Sequence, residues 1–344
     1  MRIGADIRLE AVSVWIPEDR EPIPASSKGP TLPSAGLPVL RVESLPVSLK
    51  LAAPEMAVLA ARDCLGQAGQ DPTELYALIH SHAYHQGHDV WPVAHYIAHQ
   101  IGASGRTLPL AMQGQFCNGA LTSVGMGASM LLADTTAETV LLTTADRFCA
   151  PGWVRWEEGR PGGYGDGATA ALLKRGGSGS LRVLSVAHFS EPRMEKTFRG
   201  EEEFTPAPMW NKTTIEATSI AEIGRHRPSF VALAALRDGT RHGVIQALQD
   251  AHIAPEDDRI RYVVLPHIDQ MLMDIMYSGA YADITHAELL VFGEHTGHLG
   301  PGDPFANLVE LRERGLLHPG EIILVSGIGA GWTWSTAVIE VVGA

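Results

Sequence analysis

Short apolar runs rich in β-branched residues alternate with longer stretches of small and apolar residues at helical spacing. This alternation is typical of α/β proteins, in which strands and helices follow one another along the chain. The N-terminal segment 1–17 carries scattered charges and is predicted to be a strand rather than a signal peptide. The other predicted strands are 108–112, 140–144, 168–173, 262–265, 289–292, 322–325 and 337–342. The predicted helices are 53–68, 93–101, 118–133, 231–251, 268–279 and 304–314.

Two glycine turns that each feed a strand indicate that one α/β unit occurs twice. The first turn and strand occupy 165–173 (GDGATAALL), and the second begins at 327 with GIGAGWTW. A Gly/Ser-rich run near mid-chain, GGSGS, has the composition of a linker. The predicted organisation is therefore two duplicated halves, 1–176 and 177–344. The polar stretch 191–228 has no clear period and is predicted to be a lid or insertion.

Composition narrows the class of protein. The chain has 344 residues, 45% hydrophobic and 19% charged, which is enough to build the cores of two domains. No run reaches about 18 uninterrupted apolar residues, so no membrane helix is expected. A net charge of −13 argues against nucleic acid as a partner. Three cysteines, an odd and sparse number, argue against a disulfide framework and indicate a reducing cytoplasm.

Cys117 is the strongest candidate for chemistry. It lies in GQFCNGA (114–120), where a predicted strand meets a glycine-containing turn and a helix of small residues follows. This is the layout of a nucleophile elbow, in which a sharp turn exposes the reactive side chain. The positive end of the helix dipole favours a thiolate there. Cys64, on a helical pattern, and Cys149, at a strand end, are predicted to be structural, with Cys149 close to the site.

A reactive thiol needs a base, and a group that orients the base, to carry out acyl transfer. His267 and His298 each follow a predicted buried strand, where ligands bind in α/β folds. Asp303 comes five residues after His298, so it can either orient that imidazole or cap the next helix. The glycine loop 327–331 can direct a backbone N–H at a developing oxyanion. It does not open a helix in a βαβ unit, so a nucleotide site is not predicted.

A second group of histidines occupies 80–88, and His95 and His99 form an i, i+4 pair. Such tracts can bind zinc. His80 and His82, however, follow an apolar run and share one strand face, while the later ones lie in a loop. The sequence favours a surface role over the lining of an acceptor site, and both over a metal site.

Several of these segments, in this order, resemble the thiolase superfamily and, within it, the ketoacyl-ACP synthase III type. They are the Cys117 elbow, YGDGA (164–168), Pro266-His267 and GAGWTW (329–334). The resemblance covers essentially the whole chain. It implies a five-layered αβαβα fold of two similar halves, a homodimer and an acyl-cysteine intermediate. It also implies an oxyanion hole formed by the backbone amides of Cys117 and Ala330.

One departure from that family changes the expected reaction. Condensing members have an asparagine at the position of His298, and it helps to stabilise the enolate that forms when a malonyl thioester loses carbon dioxide. A histidine is a better general base, and Asp303 would complete a Cys–His–Asp triad. The chain therefore resembles a branch from actinobacterial natural-product pathways, typified by the cervimycin malonyl transferase, whose members form esters instead of carbon–carbon bonds.

The resemblance implies an acyltransferase that takes its acyl group from an acyl carrier protein or CoA thioester. The acceptor would be a hydroxyl of a sugar or polyketide, with acyl-phosphopantetheine or acyl-CoA as substrate and no further cofactor. His267 would assist protonation of the leaving thiolate or position the thioester. The alternatives are a decarboxylative condensing or priming enzyme, and a catalytically silent dimeric scaffold. Basic residues that can form a docking patch are Arg147, Arg155, Arg160, Lys196, Arg199 and Lys212.

Overall fold

The computed structural model describes residues 1–27, 37–156, 162–195, 203–204, 206, 230–277 and 279–343. The strands in these ranges are β1 (Ile7–Trp15), β2 (Arg20–Pro22), β3 (Ser44–Pro46), β4 (Ala77–Ser81), β5 (Leu108–Met112), β6 (Thr139–Asp146), β7 (Gly167–Arg175), β8 (Leu181–Ser190), β9 (Ile260–Val264), β10 (Glu288–Leu290), β11 (Ile322–Gly329) and β12 (Thr333–Val341). The α-helices are α1 (Ala53–Ala68), α2 (Val93–Ile101), α3 (Gly119–Ala133), α4 (Phe230–Ala251), α5 (Gln270–Tyr277) and α6 (Asp303–Glu313).

Ten of the strands form one continuous sheet in the order β10-β9-β11-β12-β8-β1-β7-β6-β4-β5. The five strands from the first part of the chain and the five from the second follow the same spatial order, counted from each edge inward. The two groups meet where β1 pairs with β8 through only Arg8↔Arg182 and Leu9↔Leu181. The assignment of 1–176 and 177–344 as duplicated units stays a prediction.

Three hydrophobic clusters separate the layers. The central cluster contains α3 and α6 together with strands from both groups. One outer cluster joins α1 and α2 to the first group of strands, and the other joins α4 and α5 to the second. Strands β4, β6 and β11 are buried along their whole length, because helices cover the sheet on each side. The predicted αβαβα architecture is confirmed.

Most predicted elements agree with the structure to within a few residues. Helices α1 and α2 end where predicted because Gly69 and Gly102 take the left-handed conformation that glycine adopts without a steric penalty. Strand β8 was not predicted, since polar residues interrupt its apolar pattern. The predicted lid at 191–228 lies almost entirely outside the described residues; within it, Pro192–Met194 forms one 3₁₀ turn.

One segment, Phe116–Ala133, has the length and hydropathy of a membrane span. It comprises the 3₁₀ turn at Cys117 and helix α3. The apolar side chains of α3 belong to the central cluster, which contains strands from both groups. Its hydropathy is therefore that of a core helix.

Candidate active site

Cys117 lies in a strained turn between edge strand β5 and helix α3. The 3₁₀ turn Phe116–Asn118 leads directly into α3, so the thiol is near the positive end of the helix. Phe116 has a φ of 44°, a conformation that residues other than glycine rarely adopt and that usually marks a functional constraint. The Cys117 side chain is partly exposed. The predicted elbow geometry is therefore present.

Small residues allow α3 to lie close to both groups of strands. A Cβ on Gly125 would come within 2.9 Å of the His188 ring, and one on Gly127 would come within 2.9 Å of Leu173. Both distances are shorter than the contacts that Cβ atoms make in proteins. Gly125 and Gly127 thus let α3 pack closely against neighbours on β8 and β7.

The glycine loop between β11 and β12 presses against the elbow. A Cβ on Gly329 would overlap the carbonyl oxygen of Gln115 and approach the backbone nitrogen of Asn118 to 2.8 Å. Ala330 is the next residue, so its backbone is held beside the turn that carries Cys117. The oxyanion hole formed by the backbone amides of Cys117 and Ala330 stays a prediction.

His298 and Asp303 form a buried couple. The His298 Nδ1 atom lies 2.6 Å from the Asp303 Oδ2 atom, and both side chains are almost fully buried. Cys117 is close enough to act on the imidazole, because its sulfur is one of the groups that raise the pKa of His298. Burial alone would lower the pKa of His298, but the Asp303 carboxylate and the Cys117 sulfur raise it well above its ordinary value.

The Asp303 carboxylate holds three parts of the site together. Besides His298, it accepts hydrogen bonds from the backbone N–H groups of His267 (2.7 Å) and Leu299 (2.8 Å). Burial raises the pKa of Asp303, but the charges and hydrogen bonds of His267 and His298 outweigh it, so the pKa lies below its ordinary value. Asp303 is therefore an anion that orients the imidazole, in addition to standing at the start of α6.

His267 is brought to the same place, but both of its ring nitrogens are engaged elsewhere. Its Nε2 atom lies 2.8 Å from the Asn307 Oδ1 atom, and its Nδ1 atom lies 3.1 Å from the Thr296 hydroxyl. The Asn307 amide donates to the carbonyl oxygen of Leu265 at 2.9 Å, which turns its oxygen towards His267. Asn307 was missed in the sequence, because its position four residues into α6 gives no signal of a buried partner.

The YGDGA segment holds His298 through its backbone. Gly163 accepts from the N–H of His298 at 2.9 Å, and the N–H of Gly165 donates to the carbonyl of His298 at 3.1 Å. The Tyr164 ring packs against the His298 ring, with 5.4 Å between centroids. Gly165 admits no side chain, because a Cβ there would overlap the carbonyl oxygen of Thr296.

The histidine tract is buried at His80 and His82, whereas His85 and His88 are exposed. His80 is fully buried, and its two nitrogens contact the Thr143 hydroxyl at 3.0 Å and the Gln86 amide oxygen at 3.1 Å. Burial lowers the pKa of His80 to about 3, so the ring is neutral at physiological pH. Gln86 also donates to the carbonyl oxygen of Ala145 at 3.1 Å, which ties the loop after β4 to β6. Among the described residues, no three His, Cys, Asp or Glu side chains form a metal-binding group.

The remaining cysteines and the basic residues have other surroundings. Burial raises the pKa of the Cys64 thiol to about 12, as expected for a core residue, whereas Cys149 is partly exposed beside Tyr84. Arg155 is mostly buried and forms a bidentate ion pair with Asp166 at 2.8 and 3.1 Å, so it is not free for carrier docking. Four of the six suggested docking residues lie outside the described residues: Arg160, Lys196, Arg199 and Lys212.

Comparison with known proteins was made by family and by structure. Residues 248–341 match the family model of 3-oxoacyl-[acyl-carrier-protein (ACP)] synthase III, C terminal. The chain is similar to the solved structure of ChlB3, described as an acyltransferase, with 27% identity, a TM-score of 0.81 and 98% of each chain covered. No curated protein sequence matches the chain.

Two more distant structures share the fold. The 3-oxoacyl-[acyl-carrier-protein] synthase III of Aquifex aeolicus VF5 is 17% identical, with a TM-score of 0.75 over 97% of this chain and 99% of that chain. The FabH protein of Pseudomonas aeruginosa PAO1 is 17% identical, with a TM-score of 0.73 over 98% and 99%. The family match includes His298, Asp303 and Ala330, and the structural likeness extends over the whole chain. The whole chain therefore shares the thiolase-like fold of these structures, and residues 248–341 match the C-terminal model of the ketoacyl-ACP synthase III family.

Proposed function

We propose that this enzyme transfers an acyl group from an acyl carrier protein or CoA thioester, through an acyl-cysteine, to a hydroxyl of a natural-product sugar or polyketide. The product is an ester. The observation that carries the proposal is the buried His298–Asp303 couple, whose imidazole interacts with Cys117. An imidazole held by a carboxylate is suited to deprotonating a hydroxyl. The similarity to ChlB3, described as an acyltransferase, supports an acyl-transfer function.

In the first half-reaction the Cys117 thiolate attacks the thioester carbonyl carbon. The tetrahedral oxyanion is stabilised by the backbone N–H groups of Cys117 and Ala330. When the intermediate collapses, the bond from carbon to the carrier sulfur breaks. The departing thiolate takes the proton of the His298 imidazolium, so the acyl-enzyme forms beside a neutral imidazole.

The second half-reaction uses that neutral imidazole as the base. Acylation removes the negative sulfur that helps to raise the pKa of His298, which leaves Asp303 as the main support for the imidazolium. The acceptor hydroxyl gives its proton to His298 while its oxygen attacks the acyl carbon. The bond from carbon to the Cys117 sulfur then breaks, and the thiolate–imidazolium pair is restored.

His267 acts through Asp303 in this proposal rather than as a direct proton donor. Its ring is held by Asn307 and Thr296, and its backbone N–H donates to the Asp303 carboxylate. These contacts support a positioning role over protonation of the leaving thiolate. The direct role of His267 that the sequence suggested stays a prediction.

The test separates the two half-reactions. Intact-mass measurement after mixing with acyl-CoA or acyl carrier protein should show one acyl group, which Cys117→Ser abolishes and the control Cys149→Ser retains. Adding a hydroxylated sugar or polyketide should then release the ester and restore the original mass. Absence of any mass shift at Cys117 would instead indicate a silent scaffold.

A decarboxylative condensing or priming reaction is the second candidate, favoured by the match to the 3-oxoacyl synthase III family model. To test it, one portion of the acyl-enzyme is mixed with malonyl carrier protein and another portion with a hydroxylated acceptor. Release of carbon dioxide with a β-keto product, and no ester, would refute the ester-forming proposal and establish condensation.

We also propose that the active form is a homodimer. Strand β5 is an edge strand of the sheet, and Leu108 on it is half exposed. An apolar edge strand needs cover in solution, and a second copy can extend the sheet across a two-fold axis. Light scattering after size exclusion should give twice the chain mass, and Leu108→Lys should reduce it. Cytoplasmic location stays a prediction.

A further inference from the structure

Asp146 is a buried carboxylate next to the proposed site, and the mechanism above gives it no task. It is the last residue of β6 and is 1% exposed. Its oxygens accept hydrogen bonds from the backbone N–H groups of Ala83 (2.9 and 3.1 Å) and Tyr84 (2.7 Å). A buried anion persists only where such donors surround it. Asp146 therefore fixes the turn that follows β4.

The other side of the same carboxylate supports the turn between His298 and Asp303. A Cβ on Gly300 would lie 3.1 Å from the Asp146 Oδ2 atom, and Gly300 itself has a φ of 62°. Gly300 thus lies next to the Asp146 carboxylate, and its positive φ favours glycine at this position. Leu299, in the same turn, donates to Asp303.

Asp146 also contributes charge. Burial raises its pKa to about 7, whereas the hydrogen bonds from Ala83 and Tyr84 and the charge of His298 lower it, and the neighbouring Asp166 carboxylate raises it. Asp166 is itself neutralised by Arg155. Because the attraction between two charges is mutual, ionised Asp146 favours the imidazolium form of His298.

We propose that Asp146 is a positioning residue of the acyl-transfer site, which holds the turns at 82–84 and 299–302 against β6 and supplies a second negative charge to His298. The inference deepens the proposed function and rests on it where it assigns His298 the role of base. Its structural and electrostatic content concerns the protein without substrate, so it can be tested separately from ester formation.

The experiment compares wild type with Asp146→Asn by NMR titration of the His298 imidazole, whose signal is identified by its loss in His298→Asn. We expect the pKa of His298 to fall by about half a unit or more in Asp146→Asn, because the variant lacks the anion at the pH where His298 titrates. The matched control is Asp134→Asn, which removes the same charge from an exposed position. A pKa of His298 equal to that of wild type in a folded Asp146→Asn protein overturns the proposal.

A measurement on wild type covers the case in which Asp146→Asn does not fold. The backbone amide signal of Tyr84 should move with a midpoint near pH 7 as its acceptor ionises, and the His298 titration should show an inflection at the same midpoint. Absence of that shared inflection also overturns the proposal. If the coupling is present but no ester forms from any acyl-enzyme, the proposed function is wrong and the role of Asp146 stands.

A purely structural role for Asp146 would lower the melting temperature and leave the pH profile unchanged. The positioning role predicts more. In the second half-reaction, the acid limb of the rate profile should move to lower pH in Asp146→Asn, because His298 becomes neutral at lower pH.

Discussion

Replacing Asp303 by asparagine tests the catalytic couple most directly. The carboxylate accepts from His298, the His267 backbone and the Leu299 backbone. An amide of the same size has one oxygen in place of two, so its NH₂ group must face at least one of these donors. If it faces His298, the imidazole is forced into the tautomer that cannot accept a proton from a hydroxyl.

The magnitude follows from the bonds lost. One or two charge-assisted hydrogen bonds disappear in a fully buried place, which should cost about 2–4 kcal/mol in the free energy of unfolding. The rate of acyl transfer from Cys117 to the acceptor should fall by about a hundredfold to ten-thousandfold, the usual contribution of an oriented base.

The pH dependence has a definite sign. The pKa of Asp303 lies below 3.8 in the folded protein, so its contribution is present above about pH 4 and is lost as the pH falls through the folded value. The pKa of His298 is raised above 6.5, so its contribution is complete below 6.5 and is lost as the pH rises through the folded value. The stability difference between wild type and Asp303→Asn should therefore be largest between about pH 4 and 6.5.

The assays are urea unfolding from pH 4 to 9 and single-turnover acyl transfer. His286→Asn, at an exposed histidine outside the site, is the control for a change of titratable side chain. A stability difference that is constant across this pH range, together with an unchanged transfer rate, would show that Asp303 and His298 do not act as a charged couple.

Three further predictions concern separate parts of the site. His298→Asn should form the acyl-enzyme at Cys117 more slowly, because the departing thiolate loses its proton donor. Once formed, this acyl-enzyme should release ester about a hundredfold or more slowly, as measured by mass spectrometry over time; equal release would remove His298 as the base. Gly329→Ala should abolish acyl-enzyme formation, because the added Cβ overlaps the turn that carries Cys117. The control Gly66→Ala adds a Cβ in open space on α1 and should stabilise the protein by about 0.5–1 kcal/mol. Equal acylation in the two variants would refute the role of the glycine loop. Between pH 4 and 7, the stability of Asp146→Asn relative to wild type should rise by at least about 1 kcal/mol, because the raised pKa of Asp146 makes its ionisation costly in the folded protein; parallel urea-unfolding curves would contradict this.

The sequence was most informative where local pattern and backbone conformation coincide. Helices α1 and α2 combine an apolar face with a terminal glycine, so both ends were predictable. The elbow at Cys117 was predictable because a strand, a glycine-containing turn and a helix of small residues follow one another directly in the sequence. His298 and Asp303 were predictable as a pair because one short turn separates them.

Contacts that depend on tertiary structure were not predictable. The bond between His267 and Asn307 joins residues forty positions apart, and neither local pattern indicates the other. Asp146 gave a faint signal, since it is the single acid in a strand whose residues are all buried, and a buried acid requires donors. The histidine tract looked like surface in sequence, but His80 is buried because β4 lies between two strands and beneath helices on both faces.

The short pairing between β1 and β8, which joins the two groups of strands, has a practical consequence. The sulfur nucleophile is on one side of it, and the imidazole, its carboxylate and the glycine loop are on the other. A cut within the run Gly176–Ser180 would give two polypeptides, each lacking half of the chemistry. Catalysis would then report their reassociation, which makes the chain a natural candidate for a split-enzyme sensor.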